Sequence, residues 1–186
     1  MHRARRTVPM FLLAVVLVSG LRAGDKPVLS RTPLNEEQLS VYRGFLDKFS
    51  VLHFKNLSSV TIPFDFKGFP ESRPCLNGIE LENVSASLRT AHKFGLEITE
   101  GRELKLVSPV EQSKVLQQKP TNENAPNESF LVFSEIVFDT KHQLAVLKYL
   151  VVCGRHCVHG ATLIMEKVDG RWTANPRRPC ASFLGD

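Results

Sequence analysis

The stretch FLVFSEIVFDTKHQLAVLKYLVVCGRHCVHGATLIMEKVDGRW, residues 130–172, has the clearest structural pattern in the chain. Three apolar runs, 130–138, 143–152 and 161–168, are separated by short turns, and an Asp-Gly turn follows the third run. Because short turns join antiparallel neighbours, these runs predict an antiparallel sheet. Residues 144–152 of the middle run are apolar on both faces except at Lys148, which indicates a central strand covered on each side.

Two segments upstream have helical signals. Asn35 can cap a helix on which apolar side chains recur at spacings of three and four, namely Leu39, Tyr42, Leu46 and Phe49. The sequence Ser108-Pro109-Val110-Glu111 matches a capping box with proline at the first helical position, and the helix is expected to run to about Gln118. Both helices should pack on the sheet.

Three shorter elements are also predicted. Residues 60–66 alternate between apolar and polar side chains, and Pro63 places this strand at a sheet edge because proline cannot donate to the ladder. Asn83 is expected to cap a short helix with an apolar face formed by Val84, Leu88 and Ala91. Residues 103–107 alternate like a strand.

The fold class that follows is α+β, an antiparallel sheet of four to six strands with two or three helices packed mainly on one face. With 186 residues, of which 42% are hydrophobic, the chain can form one globular domain with a substantial core. We assign that domain to residues 24–186.

Residues 1–23 have the pattern of a secretory signal peptide. Arg3, Arg5 and Arg6 precede an apolar segment, and cleavage is expected after Ala23. An uncleaved membrane anchor is the alternative, but the apolar segment of about 14 residues is shorter than the roughly 20 that span a bilayer. The sequence therefore predicts an exported protein whose membrane contact is limited to the signal peptide.

The positive charge of the chain does not indicate a nucleic-acid partner. The formal net charge is +5, but the predicted signal peptide holds four arginines and no acidic residue. The remaining chain has 20 basic and 19 acidic residues. Nucleic-acid binding needs several phosphate contacts from clustered cations, and the pair Arg177-Arg178 is too small to supply them.

All four cysteines lie after the signal peptide, and an even count in an exported chain favours disulfides. Cys153 and Cys157 flank a three-residue turn between two predicted strands, so they can approach closely enough to bond. Cys75 and Cys180 would then form the second disulfide, although four cysteines allow three pairings.

A metal site is the alternative use of the same turn. Cys153, His156, Cys157 and His159 offer four zinc or copper ligands within seven residues. Structural zinc sites usually take paired ligands from two separated segments, however, and oxidation to a disulfide would consume the thiolates. No metal or other cofactor is therefore expected in the preferred interpretation.

The chain lacks the short motifs of common enzymes. It contains no Gly-x-Ser-x-Gly elbow and no glycine-rich phosphate loop. His53, His92 and His142 stand apart from other candidate groups, so each is interpreted as a solvated or hydrogen-bonded side chain, and no catalytic residue is predicted. We expect a non-catalytic binding or interaction domain with a small-molecule or protein partner. A hydrolase with an unrecognised site stays an alternative, because catalytic groups assemble in space.

The C-terminal third also shows a resemblance. Its pattern of strand, Cys-x3-Cys turn, strand and Asp-Gly-x-Trp, together with Leu34-Asn35-Glu36-Glu37 and Tyr42, resembles a group of small exported bacterial proteins without an assigned activity. The resemblance implies a bacterial periplasmic or secreted protein and supplies no catalytic residue. His156 and His159 depart from the small residues typical of that group at this turn.

Overall fold

The computed structural model of the protein describes residues 27–49, 55–65, 74–117, 129–154, 157–175, 180 and 182–185. The predicted signal peptide lies outside these residues. The helices are α1 (Glu36–Lys48), α2 (Val84–Ser87) and α3 (Pro109–Gln117). The strands are β1 (Val28–Leu29), β2 (Asn56–Ser58), β3 (Thr90–Ala91), β4 (Lys105–Val107), β5 (Phe130–Phe133), β6 (Val137–Phe138), β7 (Leu144–Gly154), β8 (Cys157–Val168), β9 (Arg171–Ala174) and β10 (Ser182–Gly185).

Eight strands form one mixed sheet. Six follow the order β10-β8-β7-β5-β2-β4, while β6 pairs with β7 and β9 pairs with β8. The C-terminal strands are antiparallel as predicted, but β2 runs parallel to both β4 and β5. The predicted antiparallel sheet of four to six strands is thus correct only in part. Short turns enforce antiparallel pairing, whereas the long connections between β2, β4 and β5 permit parallel pairing.

The hairpin of β7 and β8 forms the centre of this sheet. Its register runs from Leu144 opposite Glu166 to Val152 opposite Val158. On its other edge β7 pairs with β5 and β6. Side chains of β7 are buried on both faces, including Lys148, which is only 4% exposed. The predicted central strand is therefore confirmed.

Helix α1 covers one face of the sheet and begins at the predicted cap. The side-chain oxygen of Asn35 accepts from the backbone N–H of Gln38 at 2.9 Å, and the Gln38 side chain accepts from the Asn35 N–H at 3.0 Å. The rings of Tyr42 and Phe45 are fully buried and lie 5.1 and 4.9 Å from the ring of Phe133. These aromatic contacts fix the helix against β5.

Helix α3 lies on the opposite face. At its start, the Ser108 N–H donates to Glu111 at 2.8 Å and the Glu111 N–H donates to the Ser108 hydroxyl at 3.3 Å, which confirms the predicted capping box. Val115 packs against an apolar cluster formed by strands β4, β5 and β7. The helices are thus divided between the two faces, which corrects the expectation of packing mainly on one. None of the described helices is long and apolar enough to span a membrane.

The predicted strand at 60–66 is a partly bonded segment rather than a regular strand. Val60 and Ile62 form isolated bridges with Lys93 and Ser134. Burial does not alternate along it, since Thr61 and Phe64 are both buried. Phe66 lies outside the described residues. The alternation fails because the hydroxyl of Thr61 has a buried hydrogen-bond partner.

The helix predicted after Asn83 is only four residues long. Asn83 adopts a left-handed conformation with φ 52°, and its side chain makes no capping hydrogen bond. Leu88, expected on the apolar face, is 41% exposed. A single turn cannot present the predicted apolar stripe, so the segment is held by its connections instead of by an amphipathic face.

Gly44 marks the closest approach of α1 to β9. A Cβ added at Gly44 would collide with the backbone carbonyl oxygen of Trp172, which is held by the pairing of β8 with β9. We expect Gly44→Ala to lower the free energy of unfolding by about 2 kcal/mol, despite the ~1 kcal/mol by which alanine is normally favoured in a helix. Urea unfolding of the two proteins measures the difference.

Gly95→Ala is the matched control. The three atoms nearest to an added Cβ there all belong to the Glu97 carboxylate, which is the movable end of a side chain. Stabilisation by Gly44→Ala, or equal losses in both variants, would contradict a rigid contact between α1 and β9.

Candidate functional site

A buried carboxylate lies just after β5. Glu135 is 2% exposed, and its Oε1 accepts from the Thr61 hydroxyl and from the His92 backbone N–H at 3.1 Å. Its Oε2 lies 2.8 Å from Nδ1 of His92. Each carboxylate oxygen is therefore hydrogen-bonded, as burial of a polar group requires.

Three chain segments fix this cluster. The Thr61 N–H donates to the His92 carbonyl at 2.9 Å, and the Glu135 N–H donates to the Ile62 carbonyl at 2.7 Å. The adjacent Tyr42 hydroxyl donates to the Ser134 carbonyl at 2.8 Å. Burial, reinforced by the charge of Glu135, raises the pKa of Tyr42 well above its ordinary value. The carboxylate thus sits at the margin of the α1 core.

A separate groove lies at the β4 edge of the main sheet. It has a volume of about 440 Å³ and is lined by Lys55, Asn56, Arg102, Glu103, Leu104 and Lys105. This volume lies within the range of small-molecule sites. Three of these six side chains are cationic and one, Glu103, is anionic, so the lining carries an excess of positive charge, which favours an acidic group on any ligand.

Two of the groove's cations are engaged by carboxylates of the chain itself. Arg102 Nη2 lies 2.5 Å from Asp47 Oδ1, and Lys105 Nζ lies 2.7 Å from Glu111 Oε1. The hydrogen bond from Lys105, followed by those from Ser108, lowers the pKa of Glu111 to about 2. Lys55 is exposed and has no side-chain partner among the described residues, and Arg102 Nε is buried without one.

The amine of Lys148 lies on the face of the sheet opposite to α1. Its Nζ lies 5.2 Å from the ring centroid of Phe64, within the range of a cation–π contact. Burial lowers the pKa of Lys148 to about 8, and the charge of Asp65 opposes that effect. The amine lies between apolar clusters and belongs to the packing of this face.

His142 joins three elements at the surface. Its Nδ1 lies 2.8 Å from Glu37 of α1, and its Nε2 lies 2.8 Å from Glu82. Lys167 of β8 also bonds Glu37 at 3.0 Å. Carboxylates only accept hydrogen bonds, so both ring nitrogens must donate and the imidazole must be protonated in this arrangement.

The four cysteines are paired as predicted, Cys75 with Cys180 and Cys153 with Cys157, at Cα separations of 5.3 and 5.2 Å. In this form the sulfurs of the 153–157 turn are bonded to each other and are not thiolate ligands. His156 lies outside the described residues, and His159 is partly buried on β8. Within the described part of the chain, no three His, Cys, Asp or Glu side chains are grouped to hold a metal.

The structure brings together groups that are distant in sequence. His92, which the sequence leaves isolated, meets Thr61 and Glu135, at separations of 31 and 43 residues. Glu135 is the only charged residue in the apolar run 130–138, a signal that marks it as a buried polar group without naming its partner. Comparison of the chain with protein-family models, curated proteins and solved structures found no match.

The protonated His142 predicts a pH-dependent stability. The hydrogen bond to Glu37, opposed by burial and supported by Glu82, raises the pKa of His142 above its ordinary 6.5. A raised pKa contributes stability that is complete below pH 6.5 and is lost as the pH rises through the folded-state pKa. His142 is 42% exposed, so screening by solvent limits the contribution to about 1 kcal/mol or less.

His142→Asn tests this, because asparagine tolerates the left-handed φ of 51° at this position. We would measure urea unfolding from about pH 5.5 to about pH 8.5, the range in which an imidazole loses its charge. The free energy of unfolding of the native chain should fall towards that of the variant as the pH rises. Parallel curves for the two proteins would contradict a stabilising contribution from protonated His142.

The cysteine pairing predicts which peptides are linked. Non-reducing peptide mapping of periplasmically expressed protein should recover Cys75 joined to Cys180 and Cys153 joined to Cys157, and elemental analysis should find no metal. Loss of the first bond should cost about 4–5 kcal/mol and loss of the second about 2 kcal/mol, because the first closes a far longer loop. Free thiols with about one zinc or copper per chain would instead establish the metal site.

Proposed function

We propose that the protein is an exported binding domain stabilised by two disulfides, acting in the bacterial periplasm or outside the cell. The signal-peptide pattern of residues 1–23 and the sequence resemblance support export, and the paired cysteines are compatible with an oxidising compartment. The observation that carries the binding role is the groove at the β4 edge. Its function is non-covalent recognition of a partner.

The ligand of this groove carries a carboxylate or phosphate group. Lys55 supplies an unpaired ammonium, and Arg102 retains a buried N–H without a partner in the described structure. A ligand anion competes with Asp47 for Arg102 and with Glu111 for Lys105. These internal carboxylates hold the cationic side chains in place and also limit affinity, because binding must replace contacts that already exist.

The metal-binding alternative at the 153–159 turn needs reduced cysteines. In the bonded form only the two histidines of that turn could ligate, and two ligands do not complete a zinc site. Recognition of an acidic ligand at the groove requires no change in the redox state of the protein.

Titration with citrate tests the groove. Amide chemical shifts of the exported protein should change saturably at residues 55–56 and 102–105, and added salt should weaken binding. Lys55→Ala should weaken citrate binding about two- to five-fold, the effect of one exposed charge contact. Lys141→Ala, which removes an exposed lysine from the turn after β6, is the control and should bind like the native protein.

Either of two results would refute the proposal. One is the absence of saturable shifts at the groove with both citrate and inorganic phosphate. The other is equal weakening by Lys55→Ala and Lys141→Ala, which would indicate non-specific attraction to a basic protein.

A further inference from the structure

The hydrogen bonds around Glu135 determine which nitrogen of His92 carries a hydrogen. A carboxylate oxygen can only accept, so the 2.8 Å contact between Glu135 Oε2 and His92 Nδ1 places the hydrogen on Nδ1. Nε2 of the neutral ring then holds a lone pair. Nε2 makes no hydrogen bond to a described residue, and it is not fully buried.

The ring is oriented by the backbone as well as by the carboxylate. The His92 N–H donates to the Thr61 hydroxyl oxygen at 2.7 Å. The two residues after His92 pair with the two residues before Thr61, through the Val60–Lys93 bridge and the bond from the Phe94 N–H to the Ser59 carbonyl. The side chain of His92 is 14% exposed. Nε2, which is not fully buried, is therefore held in a fixed orientation, with little rotational freedom to lose on meeting a ligand.

The hydrogen bonds that join the segments of Thr61, His92 and Glu135 do not involve Nε2. The contacts of Thr61, of the His92 N–H and of Nδ1 already satisfy both oxygens of Glu135. Imidazoles whose Nδ1–H is bonded to a buried carboxylate have a basic, outward-facing Nε2, the arrangement that hydrolases use for acid–base and nucleophilic chemistry.

We infer that His92 is a nucleophilic imidazole that hydrolyses small esters, an activity that is independent of the groove. The Nε2 lone pair bonds to the ester carbonyl carbon, the bond to the leaving oxygen breaks, and the alkoxide departs with the electron pair. Water then bonds to the acyl carbon, the bond to Nε2 breaks, and its electron pair returns to Nε2. A water proton passes to the alkoxide, so one ester and one water yield one acid and one alcohol.

Glu135 is a positioning residue in this step. Acylation of Nε2 while Nδ1 keeps its hydrogen makes the ring cationic, and the carboxylate 2.8 Å away stabilises that charge at a buried position. The limited exposure of the ring restricts the substrate to a small acyl group.

Hydrolysis of p-nitrophenyl acetate by the exported protein tests the inference. His92→Gln should lower the rate about tenfold or more. The control, His142→Asn, removes an imidazole whose two ring nitrogens are both bonded to carboxylates and should leave the rate unchanged. Equal rates for the native protein and the His92 variant would overturn the inference and leave the groove proposal untouched.

Glu135→Gln provides a second test, in which the tautomer of His92 is measured together with activity. A purely structural role of Glu135 would not link the two. The amide of glutamine can donate to Nδ1, so the ring hydrogen should shift to Nε2, and ring ¹⁵N chemical shifts report this change of tautomer. We expect loss of esterase activity together with the change of tautomer. Retained activity in the Nε2–H form would refute nucleophilic attack by Nε2.

If neither variant folds, the native chain still provides a test. Treatment with diethyl pyrocarbonate followed by peptide mapping should show modification of His92 in step with the loss of ester hydrolysis. Loss of hydrolysis while His92 stays unmodified would assign the activity to another group and overturn the inference.

Discussion

The pairing of β7 with β8 is the constraint on which the other elements depend. Because β7 also pairs with β5 and β6, both of its edges are bonded and both of its faces must be covered. Helix α1 covers one face, and the other is closed by α3 and by the segment that Cys75 ties to Cys180. The long disulfide loop is therefore a consequence of a sheet that needs apolar cover on two sides.

The polar cluster occupies the place where this regular sheet is interrupted. Between β5 and β6 the chain leaves the ladder. The Ser134 hydroxyl accepts from the Lys148 N–H at 2.8 Å, and Glu135 is buried close enough to Tyr42 of α1 for its charge to act on that side chain. The segment containing Thr61 runs parallel to the chain at this interruption. The Ile62 N–H donates to the Phe133 carbonyl, and the Glu135 N–H donates to the Ile62 carbonyl. An interruption of the pleat supplies the space in which a carboxylate can be buried with its donors.

The elements predicted correctly are those whose signals are local. The Asn35 cap, the Ser108 capping box and the two-sided burial of β7 each follow from residues adjacent in sequence. The parallel pairing of β2 is not local, since it depends on which distant strands the long connections bring together. The polar cluster joins residues 61, 92 and 135, and the groove joins residues at and just before the starts of β2 and β4, so no single segment displays either site.

The two candidate sites differ in what a ligand must displace. At the groove an incoming anion competes with Asp47 and Glu111, which already neutralise two of the cations. Charge recognition there is weakened by salt, because exposed ion pairs are screened over about 8–10 Å. At His92 the orienting contacts are buried and the outward nitrogen has no competing partner in the described structure. Its chemistry depends on the direction of one hydrogen bond and should be far less sensitive to ionic strength.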